Sequence, residues 1–474
     1  LVALDIGTRS VIGLVLEKSD CYKVVCTAVE EHRQRTMLDG QIHDIPMVAN
    51  TVSNVINMLE EQLGEKFEKV AVAAAGRSLI TINGCGKLEQ ELHQVEKDEI
   101  IALEFQAVQS AQRLMAKEAR VSGEYYCVGF TVLNYYLDGI PIKNLIGQTG
   151  RRVEVEVIAT FLPRVVIDSL IVVLNQSHLK VKSLTLEPIA AAEIAIPDSI
   201  RQLNLALIDI GAGTSDIAIT SNGKLIGYAM VPVAGDEITE KIAEHYLLDF
   251  STAEKVKRNL NRKQVKFKDV LGSVHSKVPS AEVKDIIGNT VDLLARKITT
   301  AILELNSKPP QAIICIGGGS LTPGIAEKIA LALDLPVSRV VVKGQDCFRH
   351  IEGVSKVVTA QQLITPLGIG LNSFSRLGLT YYEVFVNDIS CRLLALNNLT
   401  VADALISVGI DLKQLFGKPG KALTIEINGE VTFLRGKPGV PAKITLNGIS
   451  ASIDTNIKKG DKITFLPARD GEDC

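Results

Sequence analysis

The chain has 474 residues, 46% of them hydrophobic, which is length for roughly three domains with sizeable cores. Lys and Arg number 51 against 54 Asp and Glu, a net charge of −3 that argues against a nucleic-acid partner. No apolar run approaches the roughly 20 residues of a membrane-spanning helix.

In chain order the first element is a strand that ends in Leu4-Asp5-Ile6-Gly7-Thr8-Arg9-Ser10 and re-enters a second strand at Val11-Ile12-Gly13-Leu14-Val15. The same design returns at Leu207-Ile208-Asp209-Ile210-Gly211-Ala212-Gly213-Thr214-Ser215-Asp216, followed by Ile217-Ala218-Ile219. A hairpin of this kind suits a polyphosphate. Glycine lets backbone N–H groups close on phosphate oxygens, and Thr8 and Thr214 add hydroxyl donors. Asp5 and Asp209 carry the same sign as phosphate, so they fit only with a hydrated Mg2+ between. One such hairpin is usually an ordinary tight turn. Two in matching form point to a duplicated fold that clamps one nucleotide.

Between these hairpins, Val70-Ala71-Val72-Ala73-Ala74-Ala75 reads as a buried strand. The spacing then predicts a strand over 79–82, a helix over about 98–119, and strands over 126–134 and 153–161. The helix rests on Ile100, Ile101, Glu104, Ala107, Val108, Ala111, Leu114 and Met115, whose apolar members recur at three and four residues. Leu186-Glu187-Pro188-Ile189-Ala190-Ala191-Ala192 opens a further helix, where Glu187 complements the helix dipole or orients a water. Continuous runs such as Leu203-Asn204-Leu205-Ala206-Leu207-Ile208 suit strands covered on both faces. Beyond the second hairpin, Glu254-Lys255-Val256-Lys257-Arg258-Asn259-Leu260-Asn261 is helical, and its Glu and Lys three apart read most simply as a solvated pair. Ala312-Ile313-Ile314-Cys315-Ile316 is a buried strand that runs into Gly317-Gly318-Gly319-Ser320 and then a helix after Pro323. A glycine loop there lets a flat base or ribose approach.

After residue 378 the texture changes. Residues 383–387 and 392–396 read as a strand pair, and Thr400 caps a short helix through Ile406. Asn428-Gly429 and Asn447-Gly448 mark hairpin turns. The eight cysteines (21, 26, 85, 127, 315, 347, 391 and 474) have no CxxC pairing and read as reduced thiols of a cytosolic protein. The seven histidines form no ligand-spaced cluster, and His32, His43 and His93 stand among polar neighbours, where a solvated role is expected. Residue 1 is Leu and already lies in the first strand, so a few residues are expected to precede it.

The order of phosphate hairpin, helix, phosphate hairpin and adenosine loop resembles that of the actin-like ATPase superfamily. Residues 77–160 decide the branch. Gly139-Ile140-Pro141-Ile142-Lys143-Asn144-Leu145-Ile146-Gly147, followed by Val153-Glu154-Val155-Glu156-Val157, resembles the interaction subdomain of the bacterial cell-division FtsA family. The likeness covers about residues 1–376.

It implies a two-lobed α/β fold, a duplicated ribonuclease H-like pair. The first lobe would comprise 1–76, 161–190 and 365–377, interrupted by the 77–160 subdomain, and the second 191–364 with a helical part at 235–305. It also implies ATP and Mg2+ as cofactors, with Asp5 and Asp209 holding the metal through water and acting with Glu187 as the catalytic carboxylates. Gly7, Thr8, Gly211, Gly213 and Thr214 would line the phosphates, and Arg9, Asp216 and Gly235 would also belong to the cofactor site. Glu254 and Lys257 would border the ribose, and Gly317, Gly318, Gly319 and Ser320 the adenosine.

The expected function is an ATP-switched scaffold in cell division or envelope assembly, self-associating head to tail and meeting a tubulin-like division polymer. It would be cytoplasmic, recruited to the inner membrane face by partners. Another actin-fold class is the alternative, a chaperone-like ATPase or a small-molecule kinase. A kinase, however, would need an aspartate where Glu187-Pro188 stands. Binding is read ahead of hydrolysis, because no lysine matches the chaperones' catalytic lysine and Arg77 is the nearest cation.

The family's membrane-binding terminal helix is not apparent in Lys462-Ile463-Thr464-Phe465-Leu466-Pro467-Ala468-Arg469-Asp470-Gly471-Glu472-Asp473-Cys474. Residues 378–474 instead resemble the β-grasp sulfur carriers such as MoaD and ThiS. The carriers' terminal Gly-Gly is replaced, so the module is read as a docking unit.

Overall fold

Buried apolar strands set out the first of two compact units, Leu1–Thr81 with Val165–Gly378. The computed structural model describes Leu1 to Cys474 except residues 34, 39, 76–78, 119–124, 349, 356, 376–380, 395–398, 409, 411, 416, 419, 428–429 and 435. Arg77 and the Asn428-Gly429 turn therefore lie outside the described residues.

Two sheets repeat one plan in this unit. In the first, Tyr22–Glu31, Ser10–Lys18 and Val2–Ile6 form an antiparallel meander. Lys69–Ala74 and Lys180–Leu186 then add in parallel, and Ile351–Glu352 covers the outer edge. In the second, Lys224–Val231, Ser215–Ser221 and Leu205–Ile210 form the meander, with Ala312–Ile316 and Val340–Val342 in parallel beyond it. Strands such as Leu205–Ile210 are buried at nearly every position, as sheets covered on both faces require.

The helix Ser280–Asn306 covers the second sheet. Its buried residues Val283, Ile287, Val291, Leu294, Ile298 and Ile302 recur every three or four positions, the period of a single helical face. The helix Glu187–Ala195 packs against Ala360–Ser375 at a point where only glycine fits, since a Cβ on Gly368 would lie 1.8 Å from the Ala190 carbonyl oxygen. This close crossing brings the residues at the start of both helices beneath the two hairpins.

The second unit joins Ile82–Arg164 with Leu379–Cys474. The inserted segment supplies a four-stranded sheet, ordered Ile80–Gln94, Thr149–Pro163, Tyr125–Leu137 and Ile140–Ile142, with the helix Lys97–Glu118 against it. The C-terminal part supplies a five-stranded sheet ordered Ile389–Leu394, Tyr381–Val386, Lys462–Leu466, Lys443–Leu446 and Ile449–Ser450. Its first and last strands run parallel in the middle, and the helix Val401–Ser407 follows the first hairpin. A strand pair, a helix and further strands thus follow in the order read from the sequence.

The two parts, read in sequence as separate modules, share one apolar core. Leu103, Ala107, Val155 and Phe161 from the insert cluster with Val384, Val386, Leu405 and Phe465. Gln109 Nε2 donates to Asp403 Oδ2 at 3.4 Å across the same junction. Among the described residues no helix is long and apolar enough to cross a membrane.

Candidate functional site

The matched hairpins differ in sequence yet close alike. Gly7 N donates to Ser10 O at 3.1 Å, and Gly211 N donates to Thr214 O at 2.9 Å. Asp5 and Asp209 hold the last-but-one position of their strands, paired with Ile12 and Asp216 on the returning strands. Both turns, the start of the Glu187 helix and the Gly317–Gly319 loop line one cavity of about 460 Å³, a size that suits a nucleotide.

The floor of this cavity is acidic. Burial lifts the Asp5 carboxyl from 3.8 to about 7, and the charge of Asp209 adds to the rise. Burial lifts Asp209 as well, opposed by the Thr365 hydroxyl, which donates to its Oδ2 at 2.6 Å. Glu187 is raised well above its ordinary value by burial, and then by the charges of Asp216, Asp5 and Asp209. Carboxylates crowded into one enclosed volume ionise fully only beside a cation. Among the described residues no three Asp, Glu, His or Cys side chains converge closely enough to hold a metal ion directly. The acidic side chains Asp5, Asp209 and Glu187 are of the oxygen-donor type that would suit a divalent cation such as Mg2+.

Glycine is obligatory beside this floor. Gly317 has φ +78°, and a Cβ there would lie 2.2 Å from Asp209 Oδ1 and 2.5 Å from the Ile210 carbonyl oxygen.

The opposite wall is a buried ion pair. Lys257 Nζ lies 2.8 Å from Glu254 Oε2 and donates to the Gly235 carbonyl and to Thr239 Oγ1, both at 2.8 Å. Thr239 Oγ1 approaches Glu254 Oε2 at 2.6 Å, and Arg258 Nε donates to Oε1 at 2.9 Å. Burial opposes the Glu254 charge, but Lys257, then the Thr239 hydroxyl and the charge of Arg9, hold the carboxyl down at about 2. Burial also pulls Lys257 below its ordinary value, with Glu254 opposing. The two shifts pull against each other; with every acceptor of Glu254 engaged, the ionised pair is the state we assign. The expected solvated pair is thus a buried one, Glu254 being only 7% exposed.

Across the mouth, Arg258 Nη1 donates to Glu31 at 3.0 Å, and Arg9 and Arg35 stand 5.3 and 4.6 Å from the ring centre of Phe250. These contacts tie the first sheet to the helical part of the second.

A family model described as cell division protein FtsA matches residues 206–360. The cell division protein FtsA of Escherichia coli (strain K12) is 26% identical over 308 residues, 64% of this chain and 69% of that protein. That of Bacillus subtilis (strain 168) is 23% identical over 356 residues, 72% of this chain and 78% of that protein. A chain of the PilM-PilN type IV pilus biogenesis complex superposes with a TM-score of 0.58 at 15% identity, covering 79% of this chain and 98% of that chain. The chain is similar to FtsA, and its fold is actin-like.

In this FtsA-like chain the cavity brings together Asp5, Gly7, Thr8, Arg9, Glu187, Asp209, Gly211, Thr214, Asp216, Glu254, Lys257 and Gly317–Gly319. Three expected contact residues stand behind the lining. Gly213 is buried; Gly235 N donates to the Gly211 carbonyl at 3.2 Å; and Ser320 Oγ donates to the Gly317 carbonyl at 2.7 Å, closing its loop. Thr214 Oγ1 is directed to Asp216 Oδ2 at 3.3 Å, so its hydroxyl braces the hairpin.

The cavity also holds residues that sequence reasoning missed, among them Asn261, Thr322, Gln362 and Thr365. The signal for Thr365 was weak but present, a hydroxyl beside Pro366 inside an apolar helix. His32 is a correction. It is half-buried, with both ring nitrogens engaged, Nε2 at 3.2 Å from the Gly7 carbonyl and Nδ1 at 3.3 Å from Thr51 Oγ1.

Proposed function

We propose that this protein is an FtsA-like scaffold that binds Mg-ATP between its two hairpins and changes conformation with the bound nucleotide. The observation that carries the reading is the pair of like-closed turns placing Asp5 and Asp209 on one acidic floor. When bound, Mg2+ would neutralise the phosphate and carboxylate charges. Asp5 and Asp209 would hold its water shell, Gly7, Thr8, Gly211 and Gly213 would shape the phosphate turns, and the Gly317–Gly319 loop would flank the adenosine. Glu187, at the first position of its helix, would orient water towards the terminal phosphate.

Head-to-tail contacts of one subunit on the next give open filaments, which suit a division or envelope assembly at the inner face of the membrane. The likeness to cell division proteins supports self-association, and contact with a tubulin-like division polymer is part of the same proposal. Sedimentation of the full chain with and without Mg-ATP tests the scaffold reading. Polymer that pellets only with nucleotide supports it. ADP release that depends on an added sugar, without polymer, would replace it with the kinase reading.

A further inference from the structure

A trans peptide holds its carbonyl and the following N–H in one plane, pointing in opposite directions. Whatever holds the Gly7 carbonyl therefore aims the Thr8 N–H. Gly7 and Thr8 both line the cavity, whereas His32 stands behind the turn. Its backbone N donates to the Arg9 carbonyl at 3.0 Å, continuing the ladder between Ser10–Lys18 and Tyr22–Glu31. Its ring then reaches the Gly7 carbonyl at 3.2 Å through Nε2, which must carry the proton because a carbonyl only accepts. Nδ1 meets Thr51 Oγ1 at 3.3 Å on the helix Ile45–Leu63, so the ring is braced from both sides.

We propose that His32 is a positioning residue for nucleotide binding, turning the Gly7–Thr8 peptide so that the Thr8 N–H faces the phosphates. The inference rests on the reading of the cavity as a nucleotide site. Burial pulls the ring below its ordinary value, opposed by the Gly7 hydrogen bond and then by the charge of Glu30.

Gln and Met match in length and differ in the donor at the tip, so they separate hydrogen bonding from space filling. In calorimetry of the full chain with Mg-ATP, His32→Gln should bind within about twofold of wild type. His32→Met should bind about three- to tenfold more weakly, the scale of one neutral hydrogen bond. Equal affinities for the two variants would overturn the proposal. Independently of any variant, the Thr8 amide resonance of selectively labelled wild-type protein should move downfield on adding Mg-ATP. A Thr8 resonance that stays in place while Mg-ATP binds would also overturn it. Wild-type protein that does not bind Mg-ATP at all would instead remove the nucleotide reading beneath it.

Discussion

Replacing Asp5 by Asn should make the nucleotide-free protein more stable at neutral pH while weakening its response to Mg-ATP. Asn keeps the shape of the side chain and removes only the ionisable group. The folded-state value of about 7 lies above the ordinary 3.8, because burial and the Asp209 charge disfavour the carboxylate. A carboxyl raised in this way stabilises the fold below about pH 4, and that contribution is lost as pH climbs towards 7. At about 1.4 kcal/mol per pH unit, the rise corresponds to about 4 kcal/mol of opposed ionisation, an upper bound for a site that opens to solvent. For a unit of this size, roughly 2 °C per kcal/mol makes that a gain of about 8 °C at most in the melting temperature. Thermal melts in chelator should show Asp5→Asn above wild type at pH 8 and level with it near pH 4. Adding Mg-ATP should raise wild type more than Asp5→Asn, because wild type gains the larger ligand stabilisation. An Asn variant less stable than wild type at pH 8 without metal would refute the reasoning.

Other expectations follow from single contacts. Gly317→Ala puts a Cβ 2.2 Å from Asp209 Oδ1 in a backbone of φ 78° and ψ 162° that essentially only glycine adopts, so melting temperature and Mg-ATP affinity should both fall; an unchanged affinity would separate Asp209 from the ligand. Glu187→Gln should retain Mg-ATP affinity but slow phosphate release in a single-turnover assay, and equal rates would reduce Glu187 to a helix-terminal group. Residues 379–474 expressed alone should lack a cooperative melt and gain one when co-expressed with 82–164, because the two share a core; a cooperative melt of the isolated C-terminal segment would contradict this.

The hairpins were legible because their chemistry is local. Aspartate, glycine and threonine within a few residues of a strand end define both the turn and its charge. The helix over 97–118 was legible for the same reason, its apolar residues recurring at helical period. Thr365 was not, because its partner Asp209 lies 156 residues away and only the crossing of two helices joins them. His32 looked solvated from its polar neighbours, yet the neighbours that matter, Gly7 and Thr51, meet it through the sheet and its covering helix. Glu254 and Lys257 have the spacing of an ordinary surface pair, and the packing of Thr239 and Arg258 around them makes the pair a buried one. The shared core of the insert and the C-terminal part left no sequence signal, since each segment carries its own complete pattern of strands and helix.

The account rests on the cavity being a Mg-ATP site organised by its two aspartates. Calorimetry of wild type and Asp209→Ala, each with ATP in Mg2+ and in chelator, tests this most directly. Wild type should bind more tightly with Mg2+, and Asp209→Ala should lose about 1–3 kcal/mol of that Mg-dependent binding while keeping the weaker binding in chelator. Equal Mg-ATP affinity in the two proteins would contradict the assignment.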